Sequence, residues 1–490
     1  MQRRQRPYLF YAVTRALCSR CLVVCDAKEV IEDGQVFLDK RCLEHGPERV
    51  LLSDDVEYFR RCREVFLKEP EQPERYNTKI EHGCPYDCGI CPDHEQHGCV
   101  SLLEITDHCN LRCPTCFAGS GPERETARSM AQVVAMLDRI VANEARPDVV
   151  QVSGGEPTTH PDFFAILDEC RRRPIKHLMV NTNGLRIARE DGFAERLATY
   201  APGFEVYLQF DGLSDEVSRV LRGAALTETK LRALERLDEV GLSTTLVATI
   251  QRDLNDDSVG EILDVARKHR CVRGVTFQPI HEAGRNEPGF DPRLHRLPLS
   301  AVRRKIYEQF PTFTPADVVP VPCHPDTLAM AYAVRGEGEA WDTLTPLTRH
   351  VPAEILLGAG KNTIIYEGDD VLRAEVVQHL FGAFSTGHGP EGASHALRDL
   401  MCCLPSIEAV PELGYDRVFR VVVMAFLDKH TLDLRSVKKS CVHIATPDGK
   451  RMIPFDTYNL LYREAEQRRV LETIRAGLRS KRALPLVPVG

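Results

Sequence analysis

Residues 100–118 read VSLLEITDHCNLRCPTCFA, and this stretch decides the fold. The apolar run SLLEIT predicts a strand, and Cys109, Cys113 and Cys116 follow it on one short loop. Three thiolates on such a loop can bind three irons of a cubane and leave the fourth iron without a protein ligand. A zinc site is the alternative, but zinc requires four ligands, and ferredoxin loops use other spacings. The motif therefore predicts a catalytic [4Fe-4S] cluster with one open iron.

A second motif, SGGEPTTHPDF, follows the next strand-like run, DVVQVS. Adjacent glycines let a backbone approach a ligand closely, and a carboxylate beside them can accept hydrogen bonds from an ammonium group. Polar residues also follow the next two strand-like runs, KHLMVN and EVYLQF, where turn formation is the alternative interpretation. The residues at these three strand ends include Gly154, Gly155, Glu156, Pro157, Asn183, Gln209 and Asp211.

The chain between residues 100 and 280 alternates strand-like runs with amphipathic helical stretches. Six such runs can be counted, and apolar residues at helical spacing between Met130 and Val141 predict the crossover helix that two parallel strands need. The stretch KLRALERLDEVG predicts another helix, which stops at Gly241. Repeated right-handed strand–helix units predict an α/β fold, a partial (β/α)6 barrel whose active site lies at the carboxyl ends of its strands.

Four regions are expected along the chain. Residues 1–80 contain short strand-like pieces and a DG hairpin, and are expected to form a small metal-ribbon domain. Residues 81–99 are expected to be an auxiliary cluster segment, and residues 100–290 the barrel. Residues 291–490 have weaker periodicity and are expected to be a C-terminal region with a further iron–sulfur site.

Two cysteine knuckles mark the N-terminal domain. Cys18 and Cys21 form the first, and Cys42 followed by His45 forms the second, with Cys25 competing with His45 as fourth ligand. Knuckles on either side of a hairpin are typical of a zinc ribbon or a rubredoxin-like iron site, which stabilises a domain too small to fold by burial alone. Four thiolates suit iron or zinc, whereas three cysteines and a histidine favour zinc. A structural role is expected, with electron relay as the alternative.

A second cysteine loop, CPYDCGICP, places Cys84, Cys88 and Cys91 just upstream of the barrel. Its spacing repeats that of the first loop, but only the loop at residues 109–116 follows a strand and leads into GGEP. The upstream loop is therefore interpreted as an auxiliary [4Fe-4S] site, with a fourth ligand such as Cys99 or a C-terminal residue. A zinc site is the alternative.

The remaining cysteines are scattered. Four of them lie in short C-terminal loops and could support one further cluster. His324 and His443 beside them are interpreted as surface histidines, with a role as ligands as the alternative. The others are interpreted as small, buried hydrophobic residues. The C-terminal set is Cys323, Cys402, Cys403 and Cys441, and the isolated thiols are Cys62, Cys99, Cys170 and Cys271.

Composition limits the function and the compartment. A net charge of -8 and a pI near 6.1 give no basic face for nucleic acid. The N-terminus lacks the apolar region of an export signal, and no run reaches the roughly 18 apolar residues that span a bilayer. We therefore expect a cytoplasmic protein without a transmembrane segment, and a reducing compartment favours metals over disulfides for its 18 cysteines.

The motif C-x3-C-x2-C after the first strand, with GGEP after the second, resembles the signature of the radical S-adenosylmethionine (SAM) superfamily. The resemblance implies that SAM binds the open iron through its amino and carboxylate groups, with Gly154, Gly155, Glu156 and Pro157 holding the amino group. By the same resemblance, Asn183, Gln209 and Asp211 are expected to line the SAM or substrate pocket. It also implies that an electron from the cluster cleaves SAM to methionine and a 5'-deoxyadenosyl radical, which abstracts hydrogen from substrate. A reductant such as ferredoxin or flavodoxin is the implied partner.

The full motif order resembles a smaller subgroup, which contains archaeal tetraether lipid synthase, its bacterial relatives and the dihydro-hydroxymethylpterin dimethyltransferases. The shared order runs from the N-terminal CxxC through CPYDCGxCPxH, CNLRCPxCFA, SGGEPT and YLQFDG to ATPDGxxxPFxxYN. The resemblance implies a rubredoxin-like or zinc site and extra [4Fe-4S] clusters. Two departures affect the C-terminal cluster. Asp456 occupies the cysteine position of PFCxYN, and PVPCHPD lacks the second cysteine that often follows it.

Several functions are compatible with these motifs. The leading hypothesis is hydrogen abstraction from an unactivated carbon followed by carbon–carbon bond formation on lipid alkyl chains, which requires a hydrophobic tunnel. Radical methylation of a pterin instead requires a compact pocket with hydrogen-bond donors and acceptors. A peptide-modifying maturase is a further alternative, against which the N-terminal cysteine domain argues. A metal-dependent binding module or electron carrier would need clusters but not GGEP.

Overall fold

Two sheets organise the chain in a computed structural model that describes residues 6–66, 69–336, 338–349, 353 and 415–482. The first sheet is an antiparallel meander of four strands in the order β1-β2-β3-β4. The predicted DG hairpin joins its second and third strands, and Asp33 and Gly34 have φ of +50° and +75°, as a tight hairpin turn requires. The strands are β1 (Leu9–Leu17), β2 (Val24–Glu32), β3 (Gln35–Cys42) and β4 (Gly46–Ser53).

The second sheet has twelve strands, and six consecutive parallel strands form its centre. These are the six strands that the sequence predicts between residues 100 and 280. They are β5 (Val100–Thr106), β6 (Val149–Gly154), β7 (His177–Thr182), β8 (Phe204–Gln209), β9 (Thr244–Ile250) and β10 (Val272–Pro279).

Helices follow the central strands, as right-handed parallel crossovers require. The predicted crossover helix extends over Met130–Glu144, where Ser129 and Gln132 form a capping box, and its buried side chains include Val133, Leu137 and Ile140. Gly241 follows another helix with φ of +64°. The helices of this region are α2 (Met130–Glu144), α3 (Phe163–Arg171), α4 (Leu185–Arg189), α5 (Phe193–Ala198), α6 (Asp215–Arg222), α7 (Thr227–Glu239) and α8 (Val259–Lys268), and α1 (Val56–Glu64) precedes them.

C-terminal strands extend the barrel sheet at both of its edges. Beyond β10 come a parallel strand β14 and an antiparallel strand β12, and beyond β5 come a parallel strand β15 and an antiparallel strand β16. The bounds are α9 (Pro292–His295), α10 (Leu299–Gln309), β11 (Val319–Pro320), β12 (Leu328–Arg335), β13 (Leu344–Pro346), β14 (Val418–Met424), α11 (Leu434–Val437), β15 (Val442–Ala445), β16 (Met452–Pro454), α12 (Phe455–Thr457) and α13 (Ala465–Arg482). No helix within the described ranges is long and apolar enough to cross a membrane.

Buried polar contacts attach the N-terminal sheet to the rest of the chain. Lys40 Nζ donates to the carbonyl oxygens of Leu17 and His430, each at 3.0 Å. Arg63, which follows this sheet on α1, lies 3.1 Å from Glu29 and 2.9 Å from Asp326. A buried charge is tolerated only when it is paired, so removal of one partner is strongly destabilising. These ion pairs join the small domain to the loop between β11 and β12.

Candidate active site and metal centres

The cluster loop, residues 107–121, leaves the carboxyl end of β5 and is held by the segment after β10. Cys116 donates its backbone N–H to the carbonyl of Arg285 at 2.8 Å, and Arg285 returns the bond at 2.9 Å. The Arg285 side chain donates to the carbonyls of Cys113 and Ser120, at 2.8 and 2.6 Å. The sequence analysis did not identify Arg285, because only the fold brings residue 285 beside this loop.

The three thiols of the cluster loop face one cavity. None of them forms a disulfide, and burial raises the pKa of Cys109 to about 12. Metal binding would replace those thiol protons. The loop therefore fits a cubane with an open iron.

The GGEP turn packs directly on the cluster loop. Gly155 donates its N–H to the carbonyl of Thr106 at 2.7 Å, and Glu156 donates to that of His108 at 2.8 Å. A Cβ atom at Gly154 would lie 2.2 Å from the Thr106 carbonyl oxygen, and one at Gly155 would lie 2.0 Å from that of His108. Glycine is therefore required at both positions, because the GGEP turn and the cluster loop are too close for a Cβ atom, whether or not a ligand also approaches the turn.

Glu156 organises the neighbouring strand ends. One carboxylate oxygen accepts hydrogen bonds from the Thr158 N–H at 3.1 Å and from the Thr182 hydroxyl at 2.7 Å. The other oxygen accepts the N–H of Asn183 at 2.7 Å, and the Asn183 amide donates to Asn110 in the cluster loop at 2.7 Å. Glu156 and Asn183 therefore fix the turns after β6 and β7 to each other and to the cluster loop.

Asp211 has a partner that the sequence analysis missed. Arg222 donates to both of its carboxylate oxygens at 2.7 Å, and Asp211 also accepts the N–H of Thr249 at 2.9 Å. Burial alone would lower the pKa of Arg222, but the Asp211 carboxylate raises it above its ordinary value. Arg222 lines the cavity, whereas Asp211 does not. Asp211 therefore orients a buried cation at the cavity wall.

A second buried cation, Lys230, lies beside the ends of the strands that precede Asn183 and carry Gln209. Its ammonium donates to the Asn183 carbonyl at 2.5 Å and to the Gln209 side chain at 3.2 Å, and burial lowers the pKa of Lys230 to about 8. Five of the seven expected cofactor-binding residues line the cavity. They are Gly154, Gly155, Glu156, Asn183 and Gln209, whereas Pro157 and Asp211 lie outside it.

The cavity has a volume of about 270 Å³ and extends through the barrel. Its walls differ in polarity. The central strands form one wall, which carries amide and hydroxyl side chains, namely Gln151, Ser153, Asn181, Tyr207, Gln209, Thr245, Thr249, Thr276 and Gln278, interspersed with the apolar Val149, Met179, Val247 and Val275. Apolar side chains near the sheet edges form the other, namely Val100, Leu102, Leu328, Met330, Val422, Met424, Phe426 and Phe455.

The N-terminal sheet brings four ligand-type residues together. The Sγ atoms of Cys18, Cys21 and Cys42 and a ring nitrogen of His45 all lie within 4.8 Å of one another. His45 Nδ1 is 3.6 Å from both Cys18 Sγ and Cys42 Sγ. Burial alone would raise the pKa of Cys42, but hydrogen bonds from His45 lower it to about 6. Cys25 is outside this group, and a Cys3His set favours zinc.

A third group consists of Cys99, Cys323 and Cys441, whose buried Sγ atoms lie within 4.8 Å of one another. Cys99 precedes β5, Cys441 precedes β15, and Cys323 lies between β11 and β12, so the two edges of the large sheet meet at these thiols. All three line the same cavity as the cluster loop. The interpretation of Cys99 as an isolated thiol is therefore wrong. Cys402 and Cys403 lie outside the described residues.

The histidines beside this group are buried, so their interpretation as surface residues is wrong. His324 and His443 are 2% and 0% exposed. The two Nε2 atoms of His443 and His94 are 3.1 Å apart, and burial lowers the pKa of His443 to about 3. Asp456 is also buried and accepts the Leu427 N–H at 2.7 Å and the Ser440 hydroxyl at 2.5 Å. Its carboxylate is not part of the three-thiol group.

Cys84, Cys88 and Cys91 line a separate cavity of about 20 Å³. Tyr462 donates its hydroxyl to the Pro85 carbonyl at 3.1 Å and accepts the Cys88 N–H at 3.0 Å, which holds this loop against the C-terminal region. Cys99 lies with the third group rather than here, so it is no longer a candidate fourth ligand for this loop.

Comparisons with known proteins agree with this architecture. Residues 103–266 match the Radical SAM superfamily, and residues 10–54 match the HMPTM N-terminal zinc ribbon domain. The chain is 28% identical over 484 residues to the 7,8-dihydro-6-hydroxymethylpterin dimethyltransferase of Methanocaldococcus jannaschii, a match that covers 92% of this chain and 94% of that protein. It is 31% identical over 237 residues to the mycofactocin maturase MftC of Mycobacterium ulcerans, covering 48% and 58%. It is 29% identical over 165 residues to the GTP 3',8-cyclase of Pasteurella multocida, covering 33% and 48%.

The protein is therefore a radical SAM enzyme, with a domain that binds SAM and a [4Fe-4S] cluster. Within this class it resembles the 7,8-dihydro-6-hydroxymethylpterin dimethyltransferase, and it combines a radical SAM domain with an N-terminal zinc ribbon.

Proposed function

We propose that the enzyme abstracts hydrogen from an unactivated carbon of a compact, pterin-like heterocycle and methylates that carbon. One SAM supplies the 5'-deoxyadenosyl radical that takes the hydrogen, a second SAM supplies the methyl group and leaves as S-adenosylhomocysteine, and the reductant supplies one electron for each SAM. The observation that carries the proposal is the single cavity, which joins the cluster loop to a wall of amide and hydroxyl side chains. Such a wall can bind the hydrogen-bonding edges of a heterocycle. The similarity to a pterin dimethyltransferase along most of the chain supports the same class of substrate.

Within this proposal, Cys109, Cys113 and Cys116 hold the cluster. When bound, the cluster supplies the electron that cleaves SAM to methionine and a 5'-deoxyadenosyl radical. Glu156 and Asn183 keep the GGEP turn and the cluster loop in register through their mutual hydrogen bonds. Gly155, Gln209 and Arg222 present polar groups at the same cavity wall, where the amino acid part of SAM needs acceptors and donors.

Three further metal sites complete the proposal. Zinc would occupy the Cys18, Cys21, Cys42 and His45 site as a structural ion. Auxiliary [4Fe-4S] clusters would be held by the Cys84, Cys88 and Cys91 loop and by the group of Cys99, Cys323 and Cys441. A reductant such as ferredoxin or flavodoxin would supply electrons. The zinc site would define an N-terminal domain of residues 1–80, and the first auxiliary cluster a segment of residues 81–99. The radical SAM core would be residues 100–290, and the C-terminal region residues 291–490.

Carbon–carbon bond formation on lipid alkyl chains is the second candidate. The apolar wall of the cavity, which includes Leu328, Met330 and Met424, favours it. An alkyl chain makes no hydrogen bonds, however, and would offer no partner to the Gln151 amide or to the side-chain oxygens of Asn181 and Gln278, whose N–H groups donate to Ser153 and Tyr207. The polar wall therefore favours the heterocycle over the lipid.

Anaerobically reconstituted protein tests the proposal directly. Incubation with SAM, a reductant and either 6-hydroxymethyl-7,8-dihydropterin or an isoprenoid lipid should give 5'-deoxyadenosine and a methylated pterin, with unchanged lipid. Cys113→Ala should abolish SAM cleavage, whereas Cys170→Ala, a buried thiol on α3 outside every metal group, should retain it. Coupled lipid with unchanged pterin would reverse the order of the two candidates.

A further inference from the structure

One amide side chain in the wall of the cavity has no partner. Gln151 on β6 is 8% exposed and lines the cavity, and within the part of the chain that the structure describes its side-chain amide makes no hydrogen bond. Both amide atoms keep accessible surface, and because the residue lines the cavity this surface faces the cavity interior. The oxygen acceptor and the N–H donors of Gln151 are therefore both available to a ligand.

The other amide side chains that line the cavity are engaged with neighbouring side chains. Each makes at least one hydrogen bond, at distances between 2.7 and 3.4 Å. The pairs are Asn181 with Ser153, Asn183 with Asn110, Gln209 with Lys230 and Gln278 with Tyr207. Unlike these amides, the Gln151 amide holds no other side chain of the described residues in place.

The position of Gln151 suits a substrate that lies beside SAM. Its neighbours across the sheet are two apolar residues that also line the cavity, Leu102 on β5 and Met179 on β7. The GGEP turn begins three residues further along β6, about 10 Å away. A compact ring system bound to Gln151 would therefore contact apolar side chains on either side of the amide, next to the turn that is proposed to hold SAM.

We propose that Gln151 is a substrate-specificity residue of this cavity, and that its amide pairs with the lactam edge of a planar heterocycle. The Gln151 oxygen accepts from a ring N–H, and the Gln151 N–H donates to the adjacent carbonyl oxygen. An amide side chain presents an acceptor and a donor side by side, as glutamine does to N6 and N7 of adenine. The pterin ring offers the matching edge through N3–H and O4. An alkyl chain offers neither group, so its binding would leave the buried amide unpaired.

This inference rests on the proposed function, because it assigns the substrate subsite of the same cavity. The test compares 6-hydroxymethyl-7,8-dihydropterin with its N3-methyl derivative, which lacks the ring N–H. Binding to the anaerobic, SAM-loaded enzyme is measured by isothermal titration calorimetry without reductant, so that no turnover occurs. The wild-type enzyme should bind the derivative about 10- to 100-fold more weakly, the discrimination typical of a bidentate pair.

Gln151→Met keeps the approximate size of the side chain but removes both polar arms. It should bind the pterin about 10- to 100-fold more weakly than the wild type does, and it should distinguish the two compounds far less. Its melting temperature should equal or exceed that of the wild type, because the substitution breaks no side-chain hydrogen bond within the described residues. A structural role of Gln151 would instead lower the melting temperature.

Gln251→Met is the matched control. Gln251 is 5% exposed, does not line the cavity and donates to Glu287 at 2.7 Å. This variant should lose stability and retain the wild-type preference between the two compounds. If Gln151→Met does not fold, Gln151→Glu replaces it, because this change keeps the shape of the side chain and removes the N–H donor. Gln151→Glu should bind the pterin at least about 10-fold more weakly than the wild type does.

The outcomes distinguish the role of Gln151 from the proposed function. Unchanged pterin affinity in the Gln151 variant, or equal affinity of the wild type for both compounds, overturns the role of Gln151. Absence of pterin binding by enzyme that still cleaves SAM overturns the substrate class, and absence of SAM cleavage in the presence of reductant overturns the proposed function itself.

Discussion

The backbones of Cys116 and Arg285 pair in both directions, with N···O distances of 2.8 and 2.9 Å. This short antiparallel bridge joins the proposed cluster loop after β5 to the segment after β10, across the open end of the barrel. A Cβ atom at Gly284 would lie 2.2 Å from the Phe117 carbonyl oxygen, so the two segments are in close contact. The position of the loop therefore depends on a part of the chain about 170 residues away in sequence, as the bond from Arg285 to Cys113 shows.

Arg285→Met should loosen the cluster loop without changing a thiol. The variant loses the side-chain bonds to the carbonyls of Cys113 and Ser120 but retains the apolar stem of the side chain. A displacement of about 1 Å at a reacting centre can lower a rate about 100-fold, so we expect SAM cleavage to fall about 10- to 100-fold. The electron paramagnetic resonance spectrum of the reduced cluster should also change.

The exposed Arg293 on α9 provides the control for this change. Its side chain pairs only with the nearby Asp291 among the described residues, so Arg293→Met should leave both rate and spectrum unchanged. A normal rate and spectrum in Arg285→Met would show that the backbone bridge alone fixes the loop.

Cys323→Ala should remove metal from the third cysteine group while the proposed SAM cluster remains. The group has only three thiols, and the two that remain in this variant should not hold a cluster. The iron content per chain should therefore fall by roughly one cluster. Cys271→Ala is the control, since Cys271 is buried at 1% exposure outside every metal group and should retain its iron. Unchanged iron content in Cys323→Ala would show that this group holds no metal.

Cys18→Ala should mainly affect folding. The ribbon sheet has a small core, so a bound zinc ion would supply much of its stability. We expect loss of zinc and a lower melting temperature, with SAM cleavage retained by the folded fraction. Cys25→Ala removes a thiol of the same sheet that lies outside the four-ligand group, and it should retain zinc. Full stability together with lost SAM cleavage in Cys18→Ala would instead indicate electron relay through the ribbon.

The periodic parts of the fold could be predicted from sequence, because they are set by local pattern. The alternation of apolar runs between residues 100 and 280 gave six strands and the α2 crossover, and Gly241 marked a helix end. The outer strands could not be predicted in the same way. β14 and β15 join opposite edges of the sheet, and nothing local to either strand specifies its neighbour.

The same limit applies to the metal groups. Cys18 and Cys21 are neighbours on a knuckle, and a hairpin returns Cys42 to them, so spacing alone indicates this site. Cys99, Cys323 and Cys441 are distant in sequence and meet only because the two sheet edges meet. Cys99 therefore resembled an ordinary buried thiol, and its role depended on tertiary structure that local pattern does not encode.

Asp456 allows a prediction about stability and pH. Burial raises the pKa of Asp456 to about 6, although the Ser440 hydroxyl and the Leu427 N–H oppose that shift. A carboxyl group whose pKa is higher in the folded than in the unfolded protein stabilises the fold fully below its unfolded pKa. That stabilisation is lost as the pH rises through the folded pKa of about 6. Asp456→Asn mimics the neutral form, so it should match the wild type at pH 4 and be more stable by about 3 kcal/mol at pH 8, the equivalent of a shift of about two pKa units.

Thermal unfolding of metal-free protein between pH 4 and pH 8 measures this difference. Asp448→Asn serves as the control of opposite sign, because hydrogen bonds from Thr446 and Lys450 outweigh burial and lower the pKa of Asp448. That variant should lose stability relative to the wild type as pH rises through the range where the unfolded carboxyl ionises. A constant difference between Asp456→Asn and the wild type at every pH would mean that folding does not change the pKa of Asp456.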